Sequence, residues 1–521
     1  VTKAARERPR GRGYAHWRFP PAVPVLGVLV ALLVLLPLGF VASYVAASSW
    51  TEIRQLVLRP RTAELLWNTS RLIAGCVLTC AVLGTGAAWL VERTSVPWRG
   101  LWRVLLVAPL AIPAFVNSYA WVSLLPGASG YGGALLIVTL SYFPLVYLPV
   151  GAALRGLDPA LEESAYSLGR GPLRVFWGVV LPQLRPALAG GCLLVGLHLL
   201  AEFGALQMLR FPTFTVAIYE QYQSSFNGPA ANMLSAVLLA CCLLLLLAEQ
   251  RLRRRARYAR VGSGVARPAP RVRLGALTLP AVAALALLAA LSLGVPLGSL
   301  VYWLVKGASS HVAVGPLGAA AATSLGLGAV AALVTVALAL PVAWLDVRRP
   351  GRLATLIERS TYFGNALPGI VVALALVTIS IRVVPSLYQT VPLLTAAYAI
   401  LFLPRAVVGV RAALAQAPPV LDDVARSLGL SAMAGLRRVT IPLTAPGLGV
   451  GAALVFIAVV TELTATLLLA PTGTQTLATQ FWARSDGLAY GEAAPYAAVM
   501  VLLSTPATYL LTRDTRRAAS R

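Results

Sequence analysis

The chain is 521 residues long, 58% hydrophobic and only 12% charged, against about a quarter charged residues in ordinary soluble domains. This composition excludes a soluble enzyme and places the chain in a bilayer. Its net charge of +25 invites a nucleic-acid reading, but in a membrane protein basic residues first report topology.

A hydrocarbon core of about 30 Å takes roughly 20 apolar residues per helical span. Runs of that length are expected at Pro21–Ala47, Trp67–Val91, Leu101–Leu125, Gly132–Leu154, Pro186–Leu209 and Ala230–Ala248. A second set follows at Leu277–Val305, Ala320–Leu345, Tyr362–Ile381, Pro392–Val410, Pro446–Ala470 and Ala494–Leu511. The fold class is therefore an all-α polytopic membrane protein of about twelve transmembrane helices.

With the N-terminus on the cytoplasmic side, most of the 43 Lys and Arg fall in cytoplasmic segments or at their edges, as the positive-inside rule requires. The largest groups are the tail carrying Lys3, Arg6, Arg8, Arg10, Arg12 and Arg18, the stretch Arg251–Arg273, and Arg513, Arg516, Arg517 and Arg521. Topological anchoring accounts for these clusters without nucleic acid. The first run is too long for a signal-peptide core and lacks a small-residue cleavage site after it, so it is read as a retained helix. All five cysteines lie in apolar runs without metal-site spacing and are read as packing residues.

One unit occurs twice. Glu163-Ser164-Ala165-Tyr166-Ser167-Leu168-Gly169, ending at Leu181-Pro182, returns 260 residues later as Asp423-Val424-Ala425-Arg426-Ser427-Leu428-Gly429, ending at Ile441-Pro442. Six spans per half bring equivalent loops back to one face, so the repeats are parallel, which disfavours inverted-repeat folds. The expected organisation is a basic tail 1–20, a first half 21–249, an Arg-rich linker 250–273, a second half 274–512 and a basic tail 513–521.

In the first copy Asp158 supplies an N-cap and Pro159 the first helical position, with Glu162 and Glu163 near the positive end of the helix dipole. Gly169, like Gly429, supplies the permissive backbone expected just past a helix end. A helix-turn-helix of about 25 residues is far longer than the 2–8 residues a plain helix connection takes, which suggests a docking device for a soluble partner. No phosphate-cradling G-x-x-x-x-G-K-[ST] loop is present, and the only lysines are Lys3 and Lys306. Gly84 and Gly86 are read as glycines for close helix packing.

These loops resemble the EAA loop of binding-protein-dependent importer permeases: E-A-A, three residues, G, nine residues, I-x-L-P. Ser164, Val179, Asp423, Val424 and Val439 depart conservatively from it. The resemblance implies a type I ATP-binding-cassette importer permease in a bacterial inner membrane, with both termini cytoplasmic. It also implies that Glu163, Ala165, Gly169, Leu181, Pro182, Asp423, Ala425, Gly429, Ile441 and Pro442 couple to a separate ATPase, a homodimer. The chain itself would need no cofactor, ATP and Mg belonging to that partner, and would not be an enzyme. An extracytoplasmic substrate-binding protein and membrane lipid complete the expected partners.

Of 18 acidic residues, Glu202 and Glu462 sit well within expected spans, again 260 residues apart. A charge at the bilayer centre costs roughly 2.5–3.5 kcal/mol on insertion scales, so such residues face a bundle interior or a wet path. Both are candidates for a translocation pathway, or for hydrogen-bonding glue between helices. His198, four residues before Glu202, shares its face and either bonds the carboxylate or lines the same path. Its counterpart is Ala458.

Ala201-Glu202-Phe203-Gly204-Ala205-Leu206-Gln207, continuing through Arg210–Thr215 to Tyr219-Glu220-Gln221-Tyr222, resembles ferric-iron importer permeases, as does Thr461–Leu467 with Pro471-Thr472-Gly473. That resemblance implies ferric iron as cargo and places Tyr219, Glu220 and Tyr222 in a loop facing the binding protein. The tyrosines equally suit an interfacial belt. Thiamine, polyamines and oxyanions are the alternative cargoes. A major-facilitator transporter also has two parallel six-helix halves, but Glu92–Gly100 fits poorly to its G-x-x-x-D-R-x-G-R-R loop.

Overall fold

A computed structural model of the chain describes residues 22–255, 271–306, 314–418 and 420–520. The tail 1–20, residues 256–270 of the linker and Arg521 lie outside that description, as do the side chains of Asp423, Arg426 and residues 507–520. Regular structure among the described residues is helical throughout, because a helix satisfies its own backbone where lipid offers no hydrogen-bond partner. An isolated bridge between extended segments joins Thr94 to Val272, tying the end of the linker to the end of the first half's second span.

Nine described helices are long and apolar enough to cross a membrane, or ten if Arg99–Ala111 and Ala114–Leu124, bent at 91°, form one span. The 15-residue Gly369–Val383 and the helix Tyr490–Ser520 stand at the ninth and twelfth positions.

Two expected spans in each half are not continuous. Leu101–Leu125 breaks at Ile112-Pro113 and Tyr362–Ile381 breaks at Leu367-Pro368, where both prolines are extended (ψ 141° and 140°). Proline has no N–H to continue a helix and forces its predecessor out of helical geometry; Ile112 and Leu367 accordingly take ψ 114° and 116°. The expected spans Pro186–Leu209 and Pro446–Ala470 stop at Ala201 and Val460, and the short helices Gly204–Met208 and Thr464–Leu469 follow.

Glycine sets the closest helix crossings. A Cβ on Gly84 would lie 3.0 Å from the Phe143 carbonyl oxygen, and one on Gly191 2.8 Å from Val146 Cα. Gly409, Gly447 and Gly451 make the corresponding close approach in the second half. Gly86 meets nothing within 4 Å, so the packing role expected for it falls to Gly84 alone.

The halves exchange their first spans. Val30, Val34 and Val41 of helix Ala22–Ala47 share a core with Leu345, Ile357 and Val372 of the second half. Reciprocally, Leu285 and Leu300, from the seventh span Gly275–Lys306, pack with Phe115, Tyr119 and Trp121 of the first. The Ser123 and Ser299 hydroxyls lie 3.1 Å apart across this contact.

A charged pin joins the same three elements in each half, with opposite polarity. In the first, Glu92 accepts from Arg103 at 2.6 and 3.0 Å and from Arg155 at 2.7 Å. In the second, Arg411 reaches Asp346 at 3.4 Å and Glu358 at 2.5 Å. The Glu92 side chain is 3% exposed and that of Arg411 42%. Glu92→Ala is therefore expected to lose about 2–3 kcal/mol of stability, and Arg411→Ala about 1 kcal/mol or less. Thermal unfolding in detergent checks this; the reverse order would refute it.

Candidate functional site

The repeated loop begins where the Asp158 carboxylate accepts the Ala160 N–H at 3.1 Å and Pro159 opens helix Pro159–Ser167. Glu162 pairs with Arg93 at the end of helix Pro60–Arg93, fastening the loop to the bundle. The helix ends in a paired closure: the Gly169 N–H donates to the Tyr166 carbonyl at 2.9 Å and the Arg170 N–H to that of Ala165 at 3.1 Å. That geometry places the glycine in the left-handed region, and φ is +74°. Gly429 has φ +78° behind helix Val420–Ser427, with Leu430 N–H to Ala425 oxygen again at 3.1 Å.

Ala165 and Ala425 are buried, whereas Glu163 is exposed. Leu181, Pro182 and Ile441 are half-buried and Pro442 is exposed. Each of these prolines follows a five-residue π-helical turn, Phe176–Val180 or Leu436–Thr440, a wider turn that relieves proline's crowding of the preceding carbonyls. The outer surface is apolar: Leu161, Tyr166, Leu168 and Trp177 are exposed in one loop, and Val420, Leu421, Val424 and Leu428 in the other. Both copies of the loop thus carry an exposed apolar patch.

The second constellation lies where the broken spans of both halves meet. A cavity of about 300 Å³ is lined by Tyr142, His198 and Glu202 from one half and Phe402, Arg405 and Glu462 from the other. Irregular backbone at membrane depth is tolerated where it lines a cavity, and the breaks at Ile112-Pro113, Glu202 and Thr461-Glu462 all line this one. Tyr142 and Phe402, Leu145 and Arg405, His198 and Ala458, and Glu202 and Glu462 are four pairs 260 residues apart, all in its wall. The cavity is symmetric in backbone and asymmetric in chemistry.

The structure brings the three sequence-predicted pathway residues together. Glu202 accepts the Ala205 N–H at 3.0 Å and the Tyr142 hydroxyl. Glu462 accepts the N–H groups of Ala465 and Thr466 and the Thr466 hydroxyl, all at 3.0 Å. Each carboxylate thus holds the first turn of the helix after the break. His198 does not bond Glu202: its Nδ1 lies 2.8 Å from the Leu194 carbonyl, and its ring meets Tyr142 edge-on at 5.5 Å. The Tyr142 hydroxyl, from a neighbouring helix, takes that place.

Tyr219, Glu220 and Tyr222 lie on helix Phe214–Gln223, half-buried and outside the cavity wall. Tyr219 packs against Phe203 with ring centroids 4.5 Å apart and planes tilted by 43°, so the structure does not bring the tyrosines to the carboxylates.

Tyr142 and Arg405 belong to the cavity although sequence reasoning did not select them. Arg405 stands near the end of the expected span Pro392–Val410, where a basic residue reads as a flank. The helix runs over 26 residues, Val391–Gln416, which puts Arg405 near its middle.

Two parallel six-span units, paired loops on one face and a shared cavity define a permease. The chain belongs to the family described as binding-protein-dependent transport system inner membrane component, whose model matches residues 81–258 and 335–517. It is 38% identical over 501 residues to the Fe(3+)-transport system permease protein FbpB 2 of Haemophilus influenzae, covering 95% of this chain and 98% of that one. A sulfate transport system permease protein CysT of Salmonella typhimurium is 30% identical over 235 residues, 41% of this chain and 84% of its own length. The molybdenum transport system permease protein ModB of Escherichia coli is 32% identical over 146 residues, 25% of this chain and 63% of its own.

Proposed function

We propose that the chain is the permease of an ATP-driven importer of ferric iron, with the cargo handed over by an extracytoplasmic binding protein. The loops around Gly169 and Gly429 then face the cytoplasm, as do both termini, and each seats in one copy of a separate ATPase that supplies ATP and Mg chemistry. Movement of the two ATPase copies reaches the bundles through Arg93 and Glu162 and through the helices that begin at Leu181 and Ile441. Exposed Phe226 and Leu488, at the turns before helices Gly228–Arg255 and Tyr490–Ser520, lie on the opposite face, towards the binding protein.

The observation that carries this reading is the matched pair of apolar docking loops joined to a cavity that both halves wall. Iron is favoured by the relative of nearly full length, whereas the sulfate and molybdenum permeases match a part of the chain. An oxyanion cargo is the second reading, favoured by the cavity-facing Arg405.

In proteoliposomes holding the chain, its ATPase and a ferric-loaded binding protein, radioactive iron is expected to accumulate only with ATP inside. Uptake by the chain alone down an ion gradient would refute the importer reading, and ATP-driven uptake of sulfate without iron would refute the cargo.

A further inference from the structure

Arg405 faces the cavity in a way that the two carboxylates do not. Glu202 and Glu462 are turned toward backbone N–H groups and hydroxyls of the chain, and those bonds use both oxygens of each. Arg405, at the middle of helix Val391–Gln416, is exposed to the cavity and has its guanidinium carbon 5.2 Å from the Phe402 ring centroid. Among the described residues no ion pair involves it, and its counterpart in the other half is the apolar Leu145. Guanidinium keeps its charge in proteins and presents a planar fork of donors matched to oxyanions and carboxylates. A permanent cation in a membrane cavity without an acidic partner of its own points to an anion supplied from outside.

A bare ferric ion brings three positive charges to that wall; the carboxylates of Glu202 and Glu462 offset at most two of them, and the guanidinium adds one back. We infer that the cargo crosses as a complex of the metal with an oxygen-donor anion, an oxyanion or a small carboxylate, whose oxygens are bound by the Arg405 fork while the complex occupies the cavity. This inference rests on the ferric-iron reading above and adds the chemical form of the cargo. The asymmetry of the wall then has a purpose: the second half holds the anion through Arg405, and the first half presents the His198 ring to the metal side of the complex.

The test counts charge per metal ion. With the complete complex of permease, ATPase and ferric-loaded binding protein on a solid-supported membrane, transferred charge and accumulated radioactive iron are measured in the same preparation. The expected result is at most two positive charges for each ferric ion; three charges for each ion would overturn the inference and leave the iron reading standing. No ATP-dependent iron uptake at all would remove the iron reading, and this inference with it. In a second arm, Arg405→Gln is expected to slow uptake by about tenfold or more, with Arg405→Lys restoring much of the rate. Unchanged uptake by a monodisperse Arg405→Gln complex would overturn the role of the guanidinium. Should that variant fail to assemble, the charge count on the wild-type complex decides alone.

Discussion

Replacing Leu168 and Leu428 together by glutamate is expected to abolish capture of the ATPase and ATP-driven uptake while leaving the permease folded. The two side chains are 78% and 76% exposed and stand at equivalent places, each just before a left-handed glycine. Neither supports the bundle, so a charge there costs the isolated chain little. Seated in a partner groove, each leucine is worth about 1.5–3 kcal/mol of burial, and a carboxylate in its place adds a desolvation cost. Two loops together lose about 3–6 kcal/mol, which at 1.4 kcal/mol per tenfold is more than about a hundredfold in affinity. Affinity capture of the ATPase, with thermal unfolding as the control for folding, gives the answer; capture equal to wild type would end the coupling role. Gly169→Leu is a less clean probe. Its new Cβ would find open space, but the left-handed backbone would cost about 1–2 kcal/mol in the permease itself.

Glu462→Gln is expected to reduce uptake by about a hundredfold, and Glu202→Gln by about tenfold or less, if capping is the main work of these carboxylates. Glu462 accepts with both oxygens from groups that are chiefly backbone N–H donors. An amide in its place must point its NH2 at one of them, setting donor against donor and losing charge-assisted bonds of about 1.5–3 kcal/mol each. The damage spreads, because the Thr466 hydroxyl also meets Tyr398 at 2.8 Å, and the Glu462 carboxylate lies 3.1 Å from where a Cβ on Gly369 would stand. Glu202 makes one backbone bond, and its other partner is the Tyr142 hydroxyl, which can rotate to accept from an amide. Uptake and thermal unfolding of the two single variants separate the possibilities. Equal losses of uptake with unaltered unfolding would assign both carboxylates to the cargo instead.

What could be read from the chain before its structure follows from what repeats and what stands out. The repeated loops were legible because Gly169 and Gly429 recur at one spacing with the same neighbours, and a left-handed turn has few solutions other than glycine. Glu202 and Glu462 were legible because an acid inside an apolar run is conspicuous. The breaks beside them were not: Pro113 and Pro368 sit in runs that satisfy any hydropathy window, and whether a proline kinks a helix or ends it is decided by the packing around it. Arg405 was concealed by its place near the edge of an apolar run, although the helix itself continues for two more turns. Tyr142 carries no sequence signal apart from its register with Phe402.

The crossing of the first spans bears on how the bundles can travel. A bundle that swings carries with it a pillar belonging to its neighbour, so neither can open independently, and a displacement begun under one loop is felt at once on the far side. Such meshing resembles two gears with a shared tooth: under the importer proposed above, two strokes below the loops would count as a single event at the cavity.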